Sequence, residues 1–158
     1  MNRTIDVCFS PAMLPMYDYK GSVVVVIDVL RATSSMCVAF EHGVRSIVPV
    51  ATLEESMAYR SQGFLVGAER KGERVEGFDL GNSPFSFMDE SVRGRDIALT
   101  TTNGTQAIKA ADGAASIAIG SFLNLDALCE WLKRQDRNIV LLCSGWKNAF
   151  NLEDTLLA

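Results

Sequence analysis

The sequence predicts a three-layer α/β/α domain on a mainly parallel, or mixed, sheet. Short β-branched runs recur along the chain, and helical patterns fill the gaps between them. Several of the runs are apolar almost throughout, as strands covered on both faces are. In chain order, strands are expected over 22–29, 45–50, 64–68, 96–102, 115–120 and 138–143. A helix over 33–41 carries Met36, Val38, Ala39 and Phe40 and can stop at Gly43 in a left-handed cap. A second, over 52–62, has Thr52 followed by Glu55 at capping-box spacing and ends before Gly63. A third, over 124–134, sets Leu125, Leu128, Trp131 and Leu132 roughly on one face. The stretch 71–84 breaks the rhythm with Gly72, Gly77, Gly81 and Pro84, and reads as a long functional loop or an irregular hairpin.

Composition narrows the function classes. The 158 residues suit one domain. Lys and Arg number 15 against 19 Asp and Glu, for a net charge of −4. That balance speaks against nucleic acid as a partner, because phosphate backbones demand clustered cations. The one histidine, His42, excludes any site needing two imidazoles from this chain. Cys8, Cys37, Cys129 and Cys143 are far apart and mostly in apolar runs, so they read as buried thiols of a reducing cytoplasm. No secretory leader is visible at the N-terminus, and the apolar run Val23–Ile27 is too short for a membrane span. The expectation is a cytoplasmic protein without a membrane partner. The pattern Leu152 to Ala158 opens a helix and stops, so a cut-off C-terminus is expected, with a homo-oligomer as one way to complete the core.

In open parallel sheets, ligands gather beyond the carboxyl ends of the strands. At the first such end, Asp28, Arg31, Thr33, Ser34 and Ser35 follow Val25-Val26-Ile27. They offer a carboxylate, a guanidinium and hydroxyls at a helix start, where anions are favoured; the alternative is a satisfied polar residue and an ordinary cap. Thr100-Thr101-Thr102-Asn103-Gly104-Thr105 forms a second polar tip suited to phosphate, or a turn with an N-cap. Cys143 ends a third run and is a candidate nucleophile or a buried thiol, since position 149, where a tyrosine-phosphatase-type loop needs arginine, is Ala149. Glu153 and Asp154 either coordinate a hard cation or favour a helix start. Glu69 follows a fourth run, then Arg70, Lys71, Glu73 and Arg74, whose mixed charges suit solvation. Asp79, Asn82 and Ser83 lie among glycines that let backbone approach a ligand. Carboxylates for a divalent cation and donors for an oxyanion at one sheet edge suit metal-assisted chemistry on a phosphate ester. The aspartyl-phosphate route of haloacid dehalogenases lacks its second Asp, since Leu30 holds that position.

The strings VVIDVLRATSS (25–35), GERVEGFDLGNSP (72–84), TTTNGTQAI (100–108) and CSGWKNAFNLEDTLLA (143–158) resemble the 2-phosphosulfolactate phosphatase (ComB-like) family of coenzyme M biosynthesis. The last string departs from the family's Cys-Ala-Gly-Thr pattern after Cys143, and family members continue past residue 158. The resemblance therefore implies a single phosphatase-like α/β domain over 1–158, cut off relative to the family. It implies a magnesium-dependent hydrolase acting on phosphate monoesters of 2-hydroxycarboxylic acids, with 2-phosphosulfolactate as the namesake. Family positions fall on Asp28 and Arg31, on Asp79 and Asn82, on Thr102, Asn103 and Gly104, and on Glu153 and Asp154. The expected ion is Mg²⁺, held by Asp28 with Glu69 or Asp154, and with Asp79 and Glu153 as further candidate ligands. Thr102, Asn103 and Gly104, with Thr33 and Ser34, are expected to hold phosphate oxygens, and Asn82 to touch substrate. Arg31, with Arg70 or Arg74, suits the acid's own anionic group. A metal-held water is the preferred attacking group, with Asp28 and Cys143 as alternatives. Two other readings are a phospho-acid-binding or regulatory module without turnover and a nucleotide-binding domain; neither the P-loop nor the G-x-G-x-x-G fingerprint is present.

Overall fold

The computed structural model describes residues 3–158. Its elements in chain order are β1 (Ile5–Cys8), β2 (Val23–Ile27), α1 (Ala32–Glu41), β3 (Ser46–Pro49), α2 (Leu53–Ala58), β4 (Leu65–Arg70), β5 (Glu73–Arg74), β6 (Asp96–Thr100), α3 (Gly104–Ala110), β7 (Ser116–Gly120), α4 (Leu125–Lys133), β8 (Ile139–Cys143) and α5 (Leu152–Leu157). The expected α/β class holds, with strands mainly parallel and helices covering them. The strands divide between two sheets, however. One runs β1-β8-β2-β7 and is parallel throughout; the other runs β3-β6-β4-β5, with β5 alone antiparallel.

β2 explains the first sheet. Its five residues are all buried, because β7 and β8 flank it and both faces are packed. Val24 and Val26 lie with Val140, Leu142, Ala107 and Ala111, so α3 covers that face. Val23, Val25 and Ile27 point the other way, to Leu128 and Leu132 of α4 and Leu157 of α5. Alternate residues thus feed opposite layers. In the second sheet, Ile97 and Leu99 pack toward Met36 and Ala39 of α1, while Val66 and Ala68 pack with Leu53 and Met57 of α2. Ile108 of α3 touches the clusters of both sheets. The helix after β6 therefore joins the two sheets and sets their carboxyl ends beside each other.

Local signals behave as their chemistry requires. Thr52 Oγ1 accepts from the Glu55 amide at 3.1 Å, while the Glu55 carboxylate caps the Ala51 amide at 2.8 Å. The α-helical turns there end at Ala58, and a 3₁₀ turn, Tyr59–Gln62, completes the expected segment before Gly63 at φ 85°. Gly43 takes φ 83° after α1. The irregular hairpin is β4–β5, turning at Lys71 (φ 56°) and Gly72 (φ 84°).

Candidate active site

Asp28 follows β2 directly. Thr33 Oγ1 accepts from the Asp28 amide at 3.1 Å and donates to the Gly120 carbonyl at 2.6 Å. Ser34 Oγ lies 2.8 Å from the Val29 carbonyl and 2.9 Å from Ser121 Oγ. Thr33 and Ser34 thus build the β2–α1 turn, and their hydroxyls already have protein partners. Their hydroxyls are therefore committed to the turn rather than free as phosphate donors.

The second sheet brings Glu69. Its carboxylate accepts from the Gly72 amide (2.6 Å), the Thr102 amide (3.1 Å) and the Thr102 hydroxyl (3.1 Å). Arg31 Nη2 in turn donates to the Gly72 carbonyl at 2.6 Å. One chain of hydrogen bonds therefore runs from the β2–α1 turn through the β4–β5 turn to the end of β6. Thr102 serves Glu69, so its donors are not free for phosphate as the sequence suggested. Gly104 makes the approach of α3 possible. A Cβ there would collide with Ala32 Cβ and stand 2.6 Å from Asp28 Oδ2, closer than any side chain tolerates.

Asp28, Arg31, Glu69, Lys71, Asn82 and Asn103 line one pocket of about 130 Å³, with Trp146 at its side. The Asn82 Oδ1 atom is buried and has no hydrogen-bond partner among the described residues. Asp28 is buried, and its carboxyl is pushed up to about 6. Burial is the main cause, followed by the charge of Asp154; the Ala32 amide and Ser144 hydroxyl partly offset this, and Glu69 raises it further. A cation relieves such crowding of negative charge. Among the described residues no three Cys, His, Asp or Glu side chains converge as a closed metal cage. The oxygens of Asp28, Glu69 and Asn82 fit the other mode, in which a small hard ion takes one or two carboxylates and keeps water.

Asp154 is fully buried beside this pocket, yet its oxygens are taken. It accepts from the Val29 amide (2.9 Å), Ser144 Oγ (3.1 Å), the Gly145 amide (3.1 Å) and Asn151 Nδ2 (2.9 Å). It is a brace between the loops after β2 and β8, and it acts on the pocket through its charge. Several other expected residues stand apart. Asp79 pairs with Arg60 at 3.1 Å and accepts from the Val66 amide, three residues upstream of Glu69. Arg70 donates to the Glu69 carbonyl and Thr100 Oγ1, and Arg74 to the Asp79 carbonyl. Glu153 is half-buried and does not line the pocket. Cys143 is completely buried, and burial pushes its thiol up to about 11, which disfavours the thiolate a nucleophile needs. Lys71 and Trp146 are pocket residues the sequence reading left aside. A lysine before glycine at a hairpin turn was the available signal for the first.

No helix among the described residues is long and apolar enough to cross a membrane. The family model described as 2-phosphosulpholactate phosphatase matches residues 8–158. A probable 2-phosphosulfolactate phosphatase of Thermotoga petrophila is 45% identical over 146 residues, covering 92% of this chain and 63% of that protein. Proteins with the same description from Symbiobacterium thermophilum and Clostridium perfringens are 40% and 35% identical, over 91% and 98% of this chain and 64% and 65% of theirs. The chain thus spans less than two thirds of the length of these relatives. With both polar strand ends and the Gly104 approach inside the matched span, the chain belongs to the 2-phosphosulpholactate phosphatase family.

Proposed function

We propose that the pocket between the two sheets hydrolyses phosphate monoesters of 2-hydroxycarboxylic acids with Mg²⁺, 2-phosphosulfolactate being the leading substrate. The observation that carries this reading is the convergence of Asp28 and Glu69, from different sheets, with Arg31 and Lys71 in one pocket of about 130 Å³. The names of the relatives support the substrate.

Asp28 and Glu69 would hold the ion, with Asn82 Oδ1 as a neutral oxygen beside them. When bound, Mg²⁺ supplies Lewis-acid charge against the phosphoryl group. Arg31 and Lys71 add fixed positive charge at the rim, where a phosphate ester needs it. Glu69 is held by three hydrogen bonds, so it meets its ligand with little reorganisation. Asp28, buried beside the charge of Asp154, gains most from a cation among these groups. Trp146 lines one side of the pocket. Cys143 has no part in this scheme.

The test is inorganic phosphate release from 2-phosphosulfolactate, 2-phospholactate and 2-phosphoglycolate, with Mg²⁺ and with chelator. Turnover that needs the ion is expected. Turnover indifferent to chelation contradicts the proposal, and so does ester binding without product.

A further inference from the structure

A second chamber adjoins the first. It has a volume of about 340 Å³, and its polar lining is Thr102, Asn103, Gln106, Ser144, Lys147 and Asn148. Asn103 lines both chambers, so the two cavities are neighbours. Their charges differ. The first chamber carries two carboxylates with Arg31 and Lys71, whereas Lys147 is the one charged residue among the described residues lining the second.

The hairpin after β8 divides them. Trp146 and Ala149 exchange backbone hydrogen bonds at 2.9 and 3.0 Å, and the two residues between them, Lys147 and Asn148, have φ of 51° and 64°. Positive φ at both central positions is the type I′ geometry that usually calls for Asn or Gly. Lys147 is unusual there, and its amide is fixed on Asn103 Oδ1 at 3.0 Å. The turn presents Trp146 to the first chamber and Lys147 and Asn148 to the second. That same bond assigns the Asn103 amide, leaving Nδ2 as its free donor. Asn103 Nδ2, Asn148 Nδ2 and Lys147 Nζ make no hydrogen bond with other described residues, and Lys147 Nζ lies 5.9 Å from the centre of the Trp146 ring.

We infer that this second chamber receives the further anionic group, carboxylate or sulfonate, of the acid whose phosphate ester occupies the first, with Lys147 as its charge partner and Asn103 and Asn148 as its hydrogen-bond donors. The inference rests on the phosphoester reading above. The physical reason is the supply of charge partners. Arg31 and Lys71 in the first chamber face the phosphoryl group, and the neighbouring space offers a further cation and two unengaged amides, with no carboxylate among the described residues that line it. Lys147 thereby selects acids over neutral alcohols as leaving groups.

The test compares wild type, Lys147→Gln and Lys147→Arg on 2-phosphoglycolate, 2-phospho-3-sulfolactate and the neutral-alcohol ester glycerol 2-phosphate. Lys147→Gln is expected to cut the kcat/KM ratio of acid ester over neutral ester tenfold or more, mainly through KM, and Lys147→Arg to restore most of it. The carboxylate-only and sulfonate-bearing esters show which group the chamber reads. A preserved preference in Lys147→Gln overturns the inference, as does an equal loss on all three esters. Thermal stabilisation by unphosphorylated 3-sulfolactate supplies a readout without turnover. If no ester is hydrolysed yet this stabilisation depends on Lys147, the chamber stands and the phosphatase reading falls. If esters are hydrolysed and the stabilisation ignores Lys147, the inference falls alone.

Discussion

Gly104 Cα stands so close to Asp28 that an added methyl would meet Oδ2 at 2.6 Å. The contact joins the helix after β6 to the strand end after β2, and the pocket exists because these two chain segments touch. Gly104→Ala must displace Ala32 or rotate Asp28. Overpacking of this kind costs about 1–3 kcal/mol. A lower midpoint in urea unfolding, together with lost turnover, is expected. Unchanged activity and stability would mean that the approach is looser than described.

Asp28 gives the apo protein a pH signature. Its folded pKa of about 6 lies above the ordinary value of 3.8, so the folded state holds this proton more tightly than the unfolded one. Its contribution is complete below about pH 4 and is lost as pH rises through about 6. Denaturant titrations of metal-free protein across that window are expected to show a decline that Asp28→Asn removes. Turnover in the same variant is expected to fall by about 100-fold or more.

Asp154 and Asp28 are neighbouring buried carboxylates with different duties, and substitution separates them. Asp154→Ala leaves the donors of Val29, Ser144, Gly145 and Asn151 without their acceptor. The expected loss is at least about 3 kcal/mol, since each buried unpaired donor costs about 1–3. Asp28→Asn is expected to unfold no more easily than wild type at neutral pH. Equal destabilisation by both would contradict the division.

Cys143→Ala is expected to cost about 1 kcal/mol as a small cavity while leaving turnover within a few-fold of wild type. Abolished turnover in a folded variant would restore the thiol as a candidate nucleophile.

The strands and helices were legible because their signals are local. Val23 to Ile27 is apolar at every position, as a doubly covered strand must be, and Gly43 and Gly63 end their helices as left-handed caps. The division into two sheets was not legible, because strand pairing depends on long-range packing through residues such as Ile108. β1 escaped notice as a short, mostly exposed edge strand that alternates around Asp6. In the site, Asp28 and Glu69 are legible as carboxylates directly after apolar runs, although Glu69 is itself the fifth residue of β4. The hydroxyls of Thr33, Ser34 and Thr102 looked like phosphate donors because a sequence does not show which internal acceptor a hydroxyl already serves. Lys71 looked like any solvated charge until its turn was seen beside Arg31, joined through the Gly72 carbonyl.

The most direct test of the central claim is anomalous diffraction from crystals grown with Mn²⁺ in place of Mg²⁺ and soaked with phosphate. The account expects one strong peak within bonding distance of Asp28 and Glu69, with phosphate on its open side toward Arg31 and Lys71. A peak at Asp79 or Glu153, or phosphate bound away from Asp28, would contradict it.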